Sequence, residues 1–248
     1  MPKSTMNTTL NYSPNFDVKK RKAKEIKFII FHYTGMKREN QAVNRLTNTK
    51  SKVSSHYLIK NNGEILTLVP DLYVAWHAGV SSWKNYKSIN KYSIGIEISN
   101  PGHKYSYKEF SKKQIKSILK LSAYLKNKYK IKSNFILGHS DIAPDRKKDP
   151  GEKFPWKYLS KKKISLWHNL SEKKLIKKRN QKVNKLQKNK FINNLYKIGY
   201  PNNKLINKYK YLTLLTTVFQ RRFRQELING IIDQECLFIT NNLAKKLK

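Results

Sequence analysis

The chain has 248 residues, enough for one ample domain or a medium domain with a small companion. Its single cysteine, Cys236, excludes an internal disulfide, and no run approaches the roughly 18 apolar residues of a membrane-spanning helix. Lys and Arg number 53 against 15 Asp and Glu, a formal net charge of +38. A field of that size draws polyanions such as nucleic acid, anionic lipid or acidic wall polymer, although the abundance of Lys, Asn and Ile is also what AT-rich coding produces.

Residues 1–24 read as a polar arm with no apolar core or small-residue cleavage site, so no leader is expected. That points to the cytoplasm, with a periplasmic or wall-associated location by an unrecognised export route as the alternative. EIKFIIFHYTG (25–35) is an apolar, β-branched run expected to form a buried central strand that ends at His32 and opens into a loop at Gly35. Residues 40–50 are compatible with a helix. SSHYLIKNNGEILTLVP (54–70) has the pattern of a hairpin turning at Asn61-Asn62-Gly63. AWHAGVSSW (75–83) reads as a loop, and YSIGIEISN (92–100) as a strand stopped by Pro101-Gly102.

Residues 108–129 place Ile115, Ile118, Leu119, Leu121, Ser122 and Leu125 mostly at helical spacing, with lysines on the other face. NFILGH (134–139) is a second short buried strand ending in a histidine. A loop broken by Pro144, Pro150-Gly151 and Pro155 follows. Alternating strands and helices predict an α/β unit with a mixed central sheet flanked by helices. Beyond it the chain divides into a basic linker over 161–190 and a small three-helix unit over 191–248, punctuated by Gly199 and Gly230. The α/β unit is bounded at 25–160 and the arm at 1–24.

His32, His139 and Asp149 have the chemistry of an open zinc site: three N/O ligands, with a fourth position left for water. Both histidines follow apolar runs and can be held by a rigid sheet, while the Asp-Pro-Gly turn pins Asp149. Asp141 and Asp145 are local rivals. Glu97 stands in an otherwise apolar strand, where burial raises a carboxyl toward the pKa of a useful base. Lys147 is near enough in sequence to Asp149 to reach a carbonyl bound at the metal. His77 is expected to line a groove, His56 to be a core histidine, and His103 and His168 to be exposed.

The segments FIIFHYTG, SSHYLI, AWHAGVSSW, SIGIEISN and GHSDIAPDRKKDPGEKFPW, in that order over about residues 25–160, resemble the AmpD/AmiD-type zinc N-acetylmuramoyl-L-alanine amidases. The resemblance implies a mixed sheet related to phage lysozyme-amidases and peptidoglycan recognition proteins. It implies one catalytic Zn²⁺ on His32, His139 and Asp149, and it assigns catalysis to Glu97 and Lys147. The substrate implied is the amide joining the lactyl group of N-acetylmuramic acid to L-alanine, in peptidoglycan or in muropeptides. Tyr33, Trp76, His77 and Arg146 are the expected substrate contacts. TTVFQRRFRQELINGIIDQE (216–235) is similar to the C-terminal peptidoglycan-binding module of the AmiD-like branch. A monomer is expected, with no nucleic-acid partner, since the basic residues are spread widely and form no recognised nucleic-acid motif.

Overall fold

The computed structural model describes residues 6–203 and 205–247. In chain order the first elements are β1 (Thr9–Leu10), β2 (Phe16–Asp17), β3 (Phe28–Tyr33), α1 (Glu39–Thr47), β4 (Tyr57–Ile59) and β5 (Ile65–Thr67). Next come β6 (Val74–Ala75), β7 (Ser82–Trp83), β8 (Tyr86–Lys87), β9 (Ser93–Ile98), α2 (Lys112–Tyr129), β10 (Ile136–Gly138) and α3 (His139–Ile142). The C-terminal part is helical: α4 (Trp156–Lys161), α5 (Glu172–Ile176), α6 (Lys185–Ile198), α7 (Lys208–Phe223) and α8 (Gln234–Lys246).

Six strands form one mixed sheet in the order β1-β5-β4-β9-β3-β10. Only β4 and β5 run antiparallel, as the hairpin expected from the sequence; β1–β5, β4–β9, β9–β3 and β3–β10 are parallel. Alternation along the central strands sorts their side chains. Ile29, Phe31, Ile94, Ile96 and Ile98 face one side and pack on Ile118, Leu121 and Leu125 of α2. That helix begins at Ser111, whose hydroxyl accepts the Gln114 amide at 3.1 Å while the Gln114 side chain accepts the Ser111 amide at 2.9 Å.

The opposite face carries Phe28 and Ile30 of β3 and Leu137 of β10, buried in one continuous apolar cluster with Phe191 and Leu195 of α6, Leu215 and Phe219 of α7, and Ile239 of α8. Toward the other edge of that face, Leu58 and Leu66 pack on Leu46 of α1. Between these two patches lie the residues of β3 and β9 that are not apolar. His32 and Glu97 are register partners on adjacent strands and so share this face.

Several segments are more ordered than their composition predicts. The N-terminal arm adds β1 to the sheet edge and pairs β2 with β6, whose second residue, Ala75, opens the stretch read as a loop. Its Arg21 is buried, donating to Asp71 O at 2.8 Å and Asn90 O at 3.0 Å, and lying 2.9 Å from His56 Nε2. The basic stretch 161–190 contains α5 and the start of α6. It is fastened by buried Leu175 and by a bidentate contact from Arg179 to Glu235 of α8, at 2.7 and 2.9 Å.

Candidate active site

His32, His139 and Asp149, far apart in sequence, converge at the C-terminal ends of β3 and β10. The imidazole Nδ1 atoms of His32 and His139 are 2.9 Å apart, and each lies 3.0 Å from Asp149 Oδ2. All three residues are buried. His32 is the fifth residue of β3, as the apolar run predicts. His139 departs from expectation: β10 stops at Gly138 and His139 opens the short helix α3, because the carboxylate of Asp141 accepts the Gly138 amide at 2.8 Å and caps that turn. The two ligand loops are tied together by the Ser140 amide, which donates to Asp149 O at 2.9 Å. Asp141 is therefore committed to structure and not to the centre.

The outer nitrogens of both imidazoles fix which tautomer faces inward. His139 Nε2 lies 3.1 Å from Ala78 O, which can only accept, so this nitrogen carries the proton and Nδ1 presents a lone pair. His32 Nε2 lies 3.0 Å from His77 Nδ1, and His77 Nε2 lies 3.0 Å from Ser93 Oγ. The Ser93 hydroxyl donates to Ile89 O at 2.7 Å, so it accepts from His77, and His77 in turn accepts from His32. Two lone pairs and a carboxylate oxygen then point at one another with no proton between them. A cation satisfies that arrangement. The donor edges of 2.9–3.0 Å are close to the roughly 3.3 Å that tetrahedral zinc with 2.0–2.1 Å bonds imposes. The donor set fits zinc.

The electrostatics agree. Burial, reinforced by His139, lowers the His32 pKa to about 4, so the ring is neutral at physiological pH. Burial works to raise the Asp149 carboxyl, but the imidazoles, His139 foremost, hold it well below the usual carboxylate range. Glu97 goes the other way. Burial, together with the nearby Asp149 charge, pushes it up to about 8, and its Oε2 has no hydrogen-bond partner among the described residues.

The centre opens into a cleft of about 1090 Å³ that also exposes Glu97 and Lys147. The Lys147 backbone amide donates to Ala143 O at 3.1 Å, which anchors the residue between His139 and Asp149 in sequence. Of the residues expected to touch substrate, Tyr33, Trp76, His77 and Arg146 all border this cleft. Their polar atoms are partly engaged within the chain. Trp76 Nε1 donates to Asp17 Oδ1 at 2.7 Å, Tyr33 Oη lies 3.0 Å from His103 Nδ1, and the Arg146 guanidinium donates to the carbonyls of Ala78 and Val80. His77 lies over Gly95, where any Cβ would stand 2.5 Å from its ring. That explains a glycine in the middle of a buried strand.

The sequence reading missed His103. It is partly buried at the cleft, stacked on Tyr107 with ring centroids 4.4 Å apart and 3.0 Å from Glu152. Nothing in its local pattern marks it, because its partners come from other segments. His56 is a core histidine as expected, accepting the Gly95 amide at 3.0 Å. His168 is partly buried and not exposed, and burial lowers its pKa to about 4.

Comparison with known proteins gives the same picture over most of the chain. A family model described as N-acetylmuramoyl-L-alanine amidase matches residues 22–152. The chain is 31% identical over 233 residues to N-acetylmuramoyl-L-alanine amidase AmiD of Escherichia coli K12, covering 89% of this chain and 83% of that protein. It is 39% identical over 105 residues to 1,6-anhydro-N-acetylmuramyl-L-alanine amidase AmpD of Citrobacter freundii, covering 42% of this chain and 54% of that one. The structure of E. coli AmiD, solved with the substrate anhydro-N-acetylmuramic acid-L-Ala-D-γ-Glu-L-Lys, superposes with a TM-score of 0.79 over 90% of each chain. That of AmpDh3 from Pseudomonas aeruginosa gives 0.78 at 27% identity, over 99% of this chain and 97% of the other. The chain belongs to the N-acetylmuramoyl-L-alanine amidase family.

Proposed function

We propose that this chain is a zinc hydrolase that cleaves the amide between the lactyl group of N-acetylmuramic acid and L-alanine, in peptidoglycan or in muropeptides derived from it. The observation that carries the reading is the convergence of two imidazole lone pairs and the Asp149 carboxylate at the floor of an open cleft, beside a carboxyl held near neutrality. Similarity to amidases named for that bond supports the substrate.

We assign His32, His139 and Asp149 as the ligands of one Zn²⁺. When bound, zinc lowers the pKa of a coordinated water to about 7 and polarises a carbonyl. Glu97 supplies the proton traffic. Its carboxylate takes a proton from the attacking water and then delivers it to the departing alanine nitrogen, which cannot leave as an amide anion. A base with a pKa near the working pH performs both steps. Lys147 offers a positive charge to the oxyanion that develops on the substrate carbonyl. Tyr33, Trp76, His77 and Arg146 border the space left for sugar and peptide, with aromatic faces suited to a pyranose ring.

The division read from the sequence is part of the proposal. Residues 25–160 carry the chemistry, 1–24 and 161–190 flank it, and 191–248 form a helical unit like those that hold wall polymer. A single chain supplies every group named, so we assign a monomer as the working unit. Among the described residues no helix is long and apolar enough to cross a membrane.

The test is an assay of the purified chain on intact sacculi and on anhydro-muropeptides, zinc-loaded and after chelation, with mass spectrometry of the products. Release of L-Ala-terminated peptide that stops on chelation and returns with zinc is the expected result. Cleavage elsewhere in the polymer, or no chelator-sensitive release from either substrate, overturns the proposal.

A further inference from the structure

The end of α7 reaches the metal-ligand loops. Arg222, buried near its C-terminus, pairs with the buried Asp141 carboxylate, donates to Ile136 O at 3.0 Å and lies over the Trp156 ring, 4.4 Å from its centroid. Tyr200, on the connection between α6 and α7, donates its hydroxyl to the other Asp141 oxygen at 2.9 Å. Asp141 is the residue that caps α3 through the Gly138 amide, and α3 starts with His139. Gln225, just past the helix, donates to Phe154 O at 2.8 Å in the loop after Asp149.

A four-residue helix does not hold itself; nucleating one turn is unfavourable without outside support. Burying an Arg–Asp pair adds little net stability, because desolvation offsets most of the attraction, but its hydrogen bonds hold both groups in one orientation. Here the Asp141 carboxylate takes Arg222, Tyr200 and the Gly138 amide at once, while Arg222 Nε has no hydrogen-bond partner among the described residues and the guanidinium rests on the Trp156 ring. Arg222 lies within TTVFQRRFRQELINGIIDQE (216–235), the stretch similar to a wall-binding module, yet its side chain turns inward to Asp141.

We propose that the C-terminal helical unit is a positioning element of the metal centre: Arg222 and Tyr200 hold Asp141, Asp141 holds α3, and α3 aims His139 at the ion. The inference rests on the metal reading above. Partners one step removed from a ligand typically change metal affinity by about 10–100-fold when removed.

The full chain is titrated with Co²⁺ as a spectroscopic probe, in parallel with Arg222→Met, Arg222→Lys, Tyr200→Phe and Leu215→Ala, each checked by circular dichroism. Leu215 is a buried residue of α7 in the shared core with no polar link to Asp141. Arg222→Met is expected to raise the Co²⁺ dissociation constant by about 10–100-fold and to alter the visible absorption of the bound ion. Tyr200→Phe moves both in the same direction by less, and Arg222→Lys recovers part of the loss. Leu215→Ala lowers the melting temperature while the affinity and spectrum stay put. Folded Arg222→Met and Tyr200→Phe chains with unchanged affinity and spectrum overturn the inference and leave the metal reading intact. So does a Leu215→Ala chain that loses affinity equally. An unsubstituted chain that fails to bind Co²⁺ removes both.

Discussion

His32 Nε2 stands 3.0 Å from His77 Nδ1, which makes a residue outside the centre the guardian of a ligand's tautomer. With the Ser93 hydroxyl committed to Ile89 O, each donated proton along His32, His77 and Ser93 points away from the metal position. His77→Ala removes the acceptor for the His32 Nε2 proton. The competing tautomer, protonated at Nδ1, then occupies the atom that must bind metal. The expected result is zinc affinity weaker by about tenfold or more, with the fold retained. Competition against a chromophoric chelator measures it, and unchanged affinity would leave the tautomer argument without support.

Glu97 differs from the ligands in having no structural duty that a neutral isostere cannot meet: its Oε2 makes no hydrogen bond among the described residues. Glu97→Gln keeps the shape and cannot accept the proton of water. Turnover should fall by about 10²–10⁴ while bound zinc stays at one per chain. Metal analysis beside the rate assay separates a lost base from a lost ion. Full turnover in the zinc-loaded variant assigns the base elsewhere.

The same carboxyl sets a pH dependence of stability in the chelated protein. Its ordinary pKa is 4.5 and its folded value about 8, raised by burial and by Asp149. Between those values the folded chain keeps a proton that the unfolded chain has lost. Stability therefore falls as pH rises from about 4.5 through 8, by an amount on the order of a few kcal/mol. His32 and His56 act oppositely. Burial lowers them to about 4 and about 3, so their contribution is lost as pH falls below their ordinary 6.5. Glu97→Gln removes the first slope and leaves the second. The difference in melting temperature between unsubstituted and Glu97→Gln chains should widen from about pH 5 to pH 8.5, in favour of the variant. A difference flat with pH means the carboxyl is already ionised.

What the sequence made legible follows from locality. The strand Phe28–Tyr33 was readable because six consecutive residues carry the signal, and α2 because its apolar residues recur at helical spacing. The three C-terminal helices were readable for the same reason. The ligand set emerged from residue chemistry together with a long shared motif. Partnerships made at a distance stayed hidden. Arg21 looked like one more cation in a polar arm, yet it is buried against Asp71 and His56. Arg222 is one of 53 basic residues, and only the folded chain shows that it meets Asp141. His139 was placed at a strand end because the cap that turns it into a helix start depends on the Asp141 side chain bending back.

Gly95 offers the sharpest test of how the sheet supports the site. A Cβ there would sit 2.5 Å from Cγ and 2.8 Å from Nδ1 of His77. Its φ lies outside the left-handed region, so the obstacle to a larger residue is the imidazole and not the backbone. Gly95→Ala must push the His77 ring off the sheet, at a cost of about 1–3 kcal/mol as in other overpacked cores. Zinc affinity should weaken in step, because the displaced ring no longer receives the His32 proton. In a chain already carrying His77→Ala the steric conflict is gone. The second substitution should then cost little, leaving a coupling energy of at least about 0.5 kcal/mol between the two sites. Denaturant unfolding and chelator competition on the two single variants and the double variant complete the cycle. Strict additivity in both would show that the glycine serves something other than room for His77.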